Sequence, residues 1–261
     1  MLVVQLRACP KGATLPLSTT STLGVDTHRL AGTCCPADLP GLPIGTVLAD
    51  EAGIDLLRVT GHVLLPALTS PHALACPLLT ACVDLPAGEK KLVAHKRGTS
   101  LAWITLSDSG HAGLREDKSG PLLASKVQEV LETDHVQGYL LPDNLNRLRA
   151  LLTHLALVEG YDLILTTGGT GVAPTDVSPE ATARVLDYEL PGFVQAMMQA
   201  SLAKTPMGAI SRARAGVIGQ SLVLNLPGSP RAVLENLEAV LPAFRHTLEK
   251  LHGDPTPCAS R

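Results

Sequence analysis

Three loops of this 261-residue chain combine glycine, serine and threonine in a pattern suited to binding phosphate. The first runs SDSG at 107–110 and continues with DKSGP at 117–121. Such residues let a ligand approach the backbone, and Pro121 suits the first position of a helix, which would leave the preceding amides free. A polar loop before an ordinary capped helix explains the same residues. The candidate binding residues in this loop are Ser107, Asp108, Ser119 and Gly120.

The second loop, TTGGTG at 166–171, directly follows an apolar run. Its amides and hydroxyls would form a donor-rich cradle for phosphate. It is neither a Walker A loop nor a GxGxxG fingerprint, because no Gly-Lys-Ser/Thr follows and the glycine spacing differs. Its candidate binding residues are Thr167, Gly168, Gly169, Thr170 and Gly171.

The third loop, NLPGSPR at 225–231, joins an apolar run to a Pro-Gly turn and a predicted helix. Ser229 suits the N-cap with Pro230 next to it, and the free amides of a helix start can bind an anion or a carbonyl group. A helix start without any ligand is an equally good explanation. The candidate binding residues are Asn225, Pro227, Gly228 and Ser229.

Two aspartates, Asp143 and Asp176, follow predicted strands and precede predicted helices. Each could simply cap its helix, although Ser178 with Pro179 is the better capping pair after Asp176. Alternatively, the two carboxylates could share Mg²⁺, which binds few carboxylates together with water and substrate phosphates. The residue types alone leave both explanations open.

Alternating strand and helix patterns after residue 100 predict an α/β fold with a largely parallel sheet. Strands are predicted at 101–106, 136–141, 161–166, 214–218 and 221–226. Helices are predicted at 121–133, 143–158, 179–188 and 192–203, and a long closing helix after Gly228. Ligands of such sheets bind beyond the carboxyl ends of the strands, which is where the three loops fall.

The first hundred residues have a different composition, since they hold five of the six cysteines and none of the six aromatic residues. Short β-type runs at 46–49, 57–60 and 62–65, divided by Gly53 and Gly61, predict a small, mostly β module at 1–97 with an irregular beginning. The basic stretch 90–99 is the predicted junction to a domain at 98–252, and a tail follows at 253–261. The residues of this module indicate no chemistry.

Charge and cysteine spacing exclude several classes of protein. The net charge of −3 argues against nonspecific binding of nucleic acid, and the absence of a CxxC pair argues against a zinc ribbon or a thioredoxin-type site. We expect no membrane span and no signal peptide, and therefore a cytoplasmic location. Cys34 and Cys35 could hold a metal or a disulfide, but free thiols are the expectation there.

In order and spacing, these loops resemble the molybdopterin-binding domain family of the MogA-type molybdopterin adenylyltransferases and the related MoaB proteins. The resemblance covers the domain predicted at 98–252. The matching segments are TLSDS at 105–109, REDKSGP at 115–121, LPD at 141–143, LTTGGTG at 165–171, DVSPEAT at 176–182, PGF at 191–193, ISRARAG at 210–216 and NLPGSP at 225–230.

The resemblance implies a three-layer α/β/α fold, a homotrimer, and Mg²⁺-dependent transfer of AMP from ATP to the terminal phosphate of molybdopterin. Pyrophosphate would leave, and the product would pass to a molybdenum insertase. By position, Asp143 and Asp176 become the candidates for catalysis and for binding Mg²⁺, and the three loops would bind pterin, phosphate and nucleotide. Such a transfer depends mainly on positioning and charge neutralisation.

Two departures from the family pattern leave alternatives open. The family often has Arg before the aspartate at 176, where this chain has Thr175, so Arg115, Lys118 or Arg212 would have to supply the charge. The first hundred residues have no counterpart in the minimal enzymes, and recruiting a partner, binding a metal or oxyanion, and shielding a surface all stay open as their role. A non-catalytic molybdopterin carrier or scaffold of the same fold is the main alternative, and an unrelated nucleotide-binding α/β protein is a remote one. The PGF segment favours the MogA type over MoaB, and the sequence does not distinguish a molybdenum pathway from a tungsten pathway.

Overall fold

The chain forms two compact units, Met1–Gly98 and Thr99–Arg261. The structure, a computed structural model, describes residues 1–19, 25–31, 41–66 and 72–255. Cys34, Cys35 and most of the predicted tail lie outside these ranges. Among the described residues, Cys9, Cys76 and Cys82 are free cysteines.

Seven strands of the first unit close into a barrel. They are β1 (Leu2–Leu6), β2 (Thr14–Ser18), β3 (His28–Leu30), β4 (Val47–Ala49), β5 (Asp55–Pro66), β6 (Ala73–Ala81) and β7 (Gly88–His95). Their order around the barrel is β1-β3-β2-β6-β5-β4-β7, and β7 completes it by pairing antiparallel with β1. Only β2 and β3 pair in parallel among these neighbours. Strand β7 occupies most of the basic stretch predicted to be the junction.

Leucine and valine side chains fill the barrel, because alternate residues of each strand point inward. Val4, Leu57 and Leu92 of this core are fully buried. Gly61 does not divide two strands, as the sequence predicts, but lies inside β5, where the pairing with β6 shifts register. A glycine inside a strand commonly accommodates such a bulge. The runs at 57–60 and 62–65 are therefore one strand.

The second unit is built on a six-stranded sheet. Its strands are β8 (Thr99–Leu106), β9 (Thr133–Leu141), β10 (Leu163–Thr167), β11 (Tyr188–Glu189), β12 (Ala215–Ile218) and β13 (Ser221–Leu226), in the order β11-β12-β13-β10-β8-β9. The four strands β13, β10, β8 and β9 are parallel, whereas β12 and β11 pair antiparallel. The α/β class is confirmed, and the sheet is mixed at one edge.

Helices supply the layers on the two faces of this sheet. They are α1 (Asp108–His111), α2 (Ser119–Gln128), α3 (Leu145–His154), α4 (Ser178–Ala183), α5 (Pro191–Leu202) and α6 (Pro230–Leu251). Leu101 and Leu165 share one core with α2, α5 and α6. Ala102 and Ile164, their neighbours in the strands, are equally buried and point to the other face. Burial on both faces is typical of parallel strands between helical layers.

Several element boundaries differ from the predicted ones. Helix α2 ends at Gln128 and β9 begins at Thr133, although the sequence predicts helix as far as 133. Helix α3 continues as a π-helical segment, Leu155–Glu159. Helix α4 ends at Ala183, before the predicted end at 188, and the short strand β11 begins at Tyr188.

Candidate functional site

A cavity of about 330 Å³ lies where the three predicted loops meet, at the carboxyl ends of the parallel strands. Among its lining residues are seven of the predicted binding residues and both candidate catalytic residues. These are Ser107, Ser119, Thr167, Gly168, Gly169, Gly228, Ser229, Asp143 and Asp176. The fold thus brings together segments that are far apart in the chain.

The described lining residues do not include Asp108, Gly120, Thr170, Gly171, Asn225 and Pro227, which the sequence also proposes as ligand contacts. Asn225 is fully buried, and its amide group donates to the hydroxyls of Thr166 and Thr182, at 2.9 Å each. Its Oδ1 accepts a bond from the amide of Arg214 at 3.2 Å. Asn225 therefore links β13 to β10 and α4 in the interior of the fold.

The segment between α1 and α2 contributes four charged residues to the cavity: Arg115, Glu116, Asp117 and Lys118. The sequence analysis considers Arg115 and Lys118 as substitutes for a missing arginine, and it places Asp117 in the first loop without proposing Asp117 or Glu116 as site residues. The REDKSGP segment contained the indication, since it recurs in the family pattern.

Asp117 positions the start of α2. Its Oδ1 accepts bonds from the amides of Ser119 (3.1 Å) and Gly120 (3.0 Å), and its Oδ2 accepts one from the hydroxyl of Thr105 at 2.6 Å. Helix α2 therefore begins at Ser119, two residues before Pro121. The prediction that Pro121 opens the helix was wrong, and the amides predicted to be free are bound by a carboxylate.

Gly120 and Gly138 make room for Trp103. A Cβ atom at Gly120 would lie 2.2 Å from Trp103 Nε1, and a Cβ atom at Gly138 would lie 2.2 Å from Trp103 Cζ2. The indole therefore packs directly against both glycine backbones. In this structure the absence of a side chain at Gly120 serves packing rather than close approach of a ligand.

The turn at Gly168 and Gly169 requires glycine, because both residues have positive φ, +98° and +63°. A Cβ atom at Gly168 would lie 2.5 Å from the carbonyl oxygen of Leu106. A Cβ atom at Gly169 would lie 3.6 Å from Asp143 Oδ1, so the carboxylate of Asp143 sits beside this turn. The hydroxyl of Ser178 donates to the carbonyl of Gly168 at 2.7 Å, and Ser178 is the first residue of α4 rather than its predicted N-cap.

Two further hydroxyls tie the third loop to the others. Thr167 Oγ1 donates to the carbonyl of Pro227 at 2.6 Å, and Ser119 Oγ donates to the carbonyl of Gly228 at 2.9 Å. Both hydroxyl hydrogens are therefore used within the protein. These two residues, proposed from the sequence as donors to a ligand, hold the walls of the cavity in place.

Asp143 is not a helix cap, because Asn144 caps α3 by accepting a bond from the amide of Arg147 at 3.0 Å. The carboxylate of Asp143 instead lines the cavity. Partial burial raises the pKa of Asp143, the bond donated by the amide of Asp108 opposes this, and the negative charges of Asp108 and Asp176 raise the pKa further. Asp143 is thus a carboxyl group in a negatively charged environment.

Asp176 closes a turn, since its Oδ2 accepts a bond from the amide of Ala173 at 2.8 Å. Arg212 bonds to two carbonyls of the same loop. Its Nε donates to the carbonyl of Gly171 at 2.6 Å, and its Nη2 donates to the carbonyl of Asp176 at 3.0 Å. Its Nη1 forms an ion pair with Glu180. The suggestion that Arg212 replaces the missing arginine as a phosphate contact is not supported, because it does not belong to the described lining.

The charges that line the cavity are unbalanced. Four carboxylates, those of Glu116, Asp117, Asp143 and Asp176, face two cations, Arg115 and Lys118. The described residues contain no group of three or more His, Cys, Asp or Glu side chains that could hold a metal ion. A divalent cation would therefore need ligand oxygens from a substrate as well.

Comparison with known proteins decides the family. The model of a family described as probable molybdopterin binding domain matches residues 102–246, more than half of the chain. The chain belongs to this molybdopterin-binding family. The matched residues lie within the second unit, which carries the cavity.

Relatives of this member of the family include smaller and larger proteins. A Haemophilus influenzae protein named molybdopterin adenylyltransferase is 40% identical over 141 residues, 54% of this chain and 72% of that protein. The crystal structure of the molybdopterin biosynthesis enzyme MoaB from Thermus thermophilus has 45% identity and a TM-score of 0.55, and the match covers 60% of this chain and 98% of that one. Gephyrin of Dictyostelium discoideum is 35% identical over 161 residues, which are 58% of this chain but only 22% of gephyrin.

The described helices of this family member include none that is long and apolar enough to cross a membrane.

Proposed function

We propose that this chain transfers AMP from ATP to the terminal phosphate of molybdopterin, in a reaction that depends on Mg²⁺. The observation that carries the proposal is the meeting of Asp143 and Asp176 with the glycine turn and the cations Arg115 and Lys118 in one cavity. The adenylyltransferase relative at 40% identity supports the reaction class.

The reaction needs positioning and charge neutralisation rather than a side-chain nucleophile. An oxygen of the terminal phosphate of molybdopterin attacks the α-phosphorus of ATP, and the bond from this phosphorus to the bridging oxygen breaks, so that pyrophosphate leaves. Arg115 and Lys118 bind the phosphates, and the glycine turn lets them approach the backbone. These two cations take the place of the arginine that the family often has at position 175.

The two aspartates fit a shared Mg²⁺. Asp143 Oδ2 and Asp176 Oδ2 each accept a bond from a backbone amide, which orients both carboxylates. Burial raises the pKa of Asp143 most, and the negative charges of Asp108 and Asp176 raise it further; a cation would offset that second contribution. Mg²⁺ binds one or two carboxylates together with water and substrate phosphates, and when bound it neutralises charge on the phosphates.

The test is release of pyrophosphate by the purified chain given molybdopterin, ATP and Mg²⁺. We expect release by the wild type and its loss in Asp143→Asn and in Asp176→Asn. Asp187→Asn is the matched control, because Asp187 is exposed and outside the cavity and its oxygen can still accept the bond from the amide of Gly219. Pterin binding without any pyrophosphate release would contradict the proposal and favour a carrier or scaffold.

We further propose a cytoplasmic homotrimer that hands adenylylated molybdopterin to a molybdenum insertase. Exposed apolar side chains in the second unit, among them Val172, Met207 and Ile210, support an assembly that covers them. Light scattering coupled to gel filtration should give three times the 27.3 kDa of one chain. A mass of a single chain at micromolar concentration would exclude the trimer.

A further inference from the structure

The two cations of the cavity lie on one short segment, with the carboxylate of Asp117 between them. Asp117 comes two residues after Arg115 and directly before Lys118, and all three line the cavity. Within the described ranges, neither Arg115 nor Lys118 has an ion-pair partner that would hold its charged group in place. The direction of both side chains therefore depends on how the backbone of this segment is anchored.

Asp117 anchors the segment with three hydrogen bonds that use both of its oxygens. Its Oδ1 accepts from the amides of Ser119 and Gly120, the first two residues of α2, and its Oδ2 accepts from the hydroxyl of Thr105 on β8. Lys118 occupies the N-cap position but its side chain makes no capping bond. Asp117 therefore caps α2 in its place, and it ties the segment to the central sheet at the same time.

The carboxylate of Asp117 lies in a confined space. A Cβ atom at Gly120 would lie 2.5 Å from Asp117 Oδ2 and 2.2 Å from Trp103 Nε1. The oxygens are thus packed closely against the start of α2. A side chain longer by one methylene group cannot place its oxygens at the same points unless the segment moves.

We propose that Asp117 is a positioning residue, which directs Arg115 and Lys118 at the phosphates of ATP through its bonds to Thr105 and to the start of α2. This inference rests on the proposed adenylyl transfer. The negative charge of Asp117 opposes the binding of phosphate, and its oxygens already accept three bonds from the protein. What Asp117 contributes to phosphate binding is therefore the geometry of the segment, and not its charge or a ligand for Mg²⁺.

Two variants of Asp117 separate geometry from charge. Asp117→Asn removes the charge, but its oxygen can still accept from both amides and its Nδ2 can donate to the hydroxyl oxygen of Thr105. Asp117→Glu keeps the charge and displaces the carboxylate. The proposal is that the uncharged variant of the same shape works and the charged variant of the wrong length does not.

The first measurement is the steady-state rate of pyrophosphate release at varied ATP concentration. We expect the KM for ATP to stay within about threefold of wild type in Asp117→Asn and to rise about tenfold or more in Asp117→Glu, with a smaller change in kcat. The cations bind phosphate in the ground state as well as in the transition state, so their misplacement acts mainly on KM. Loss of folded protein alone would lower the apparent kcat and leave KM unchanged.

Asp50 provides the matched control. Its Oδ1 also accepts from two backbone amides, those of Ala52 (3.0 Å) and Ile54 (2.9 Å), but it lies in an exposed turn of the first unit and outside the cavity. Asp50→Glu should keep the wild-type kcat and KM. A change in KM as large as that of Asp117→Glu would overturn the proposal, because the effect would then not depend on the segment at 115–118.

Binding of ATP in the presence of Mg²⁺, measured by titration calorimetry, distinguishes this inference from the proposed reaction. If the wild type binds ATP without releasing pyrophosphate, the reaction is wrong, and the Kd values of the variants still decide the role of Asp117. Weak binding in Asp117→Glu together with near-wild-type binding in Asp117→Asn supports the positioning role. Binding that is equally weak in both variants, or wild-type binding in Asp117→Glu, overturns it, and a wild type that binds no ATP overturns both proposals.

Discussion

Asp108 and Asp143 exchange two hydrogen bonds across neighbouring strand ends: the amide of Asp143 donates to Asp108 Oδ1 at 3.0 Å, and the amide of Asp108 donates to Asp143 Oδ2 at 3.2 Å. The pair joins the loop after β8 to the loop after β9. It also places two carboxylates close together, which contributes to the raised pKa of Asp143. Asp108 thus influences the cavity without lining it.

Replacing Asp108 by Asn should shift the pH dependence of activity. Asn keeps an acceptor for the amide of Asp143 but removes a negative charge, so the pKa of Asp143 falls. If ionised Asp143 is needed, activity is lost as the pH falls through this pKa, and the acidic limb of the variant moves to lower pH. The measurement is the initial rate of pyrophosphate release between pH 4.5 and 8. If the acidic limb does not move, ionisation of Asp143 does not determine the loss of activity at low pH.

Asp143→Asn should make the Mg²⁺-free chain more stable at pH 7.5. The folded-state pKa of Asp143 is raised, so ionised Asp143 costs stability above that pKa and the cost disappears as the pH falls. Because the group is partly exposed, we expect a gain on the order of 0.5 kcal/mol. Urea unfolding at pH 7.5 and at pH 4 measures it, and the gain should be absent at the lower pH. Equal effects at both pH values would contradict an electrostatic origin.

The succession of strands and helices along the second unit, and the edge of the sheet where the cavity lies, could be predicted from sequence because both follow from local patterns. Apolar runs mark β8, β10 and β13, and parallel strands place the loops that follow them at one edge. The closure of the barrel could not be predicted, because it depends on pairing β1 with β7, far apart in the chain. Local pattern contains no information about such a pairing.

The functions of individual residues in the cavity were harder to predict, because tertiary contacts decide them. The glycine at 120 fits a ligand loop equally well, but the structure shows that the indole of Trp103 requires it. The hydroxyl of Thr167 suits a phosphate, yet it bonds the carbonyl of Pro227. The role of Asp117 was not predicted, since one of its partners, Thr105, is twelve residues away on a strand.

Gly168→Ala should disrupt the cavity, whereas Gly192→Ala should not. The φ of Gly168 is +98°, and its Cβ would meet the backbone oxygen of Leu106, which cannot move aside easily. We expect a loss of about 2–3 kcal/mol in unfolding free energy. Gly192 lies in α5 with nothing within 4 Å of a Cβ, so alanine should be neutral or stabilise by up to about 1 kcal/mol. Chemical denaturation of both variants tests this, and similar losses in the two would refute the role given to the turn.

Arg212→Lys should reduce activity while leaving the fold intact. Lysine keeps the charge but cannot bond the carbonyls of Gly171 and Asp176 and the carboxylate of Glu180 at once. The loop that carries Asp176 would lose its fixed position, for which we expect about a 10- to 100-fold loss of kcat. Arg231→Lys, at an exposed position on α6, is the matched control and should behave as wild type. A wild-type kcat in Arg212→Lys would show that these bonds of Arg212 are not needed for activity.

The barrel should become less stable as the pH falls from 7 to 4.5. The folded-state pKa of His28 is about 4, below the ordinary value of 6.5, so the unfolded chain binds a proton in this window and the folded chain does not. Stability is therefore lost as the pH drops below about 6.5, and His28 alone contributes about 2–3 kcal/mol of the loss by pH 4.5. Urea unfolding in chloride buffer, compared with His28→Leu, isolates this part. The variant starts from lower stability, because the amide of Arg7 loses its acceptor, but its dependence on pH should be shallower by that amount. Parallel pH profiles for the two proteins would mean that the imidazole of His28 is protonated inside the folded barrel.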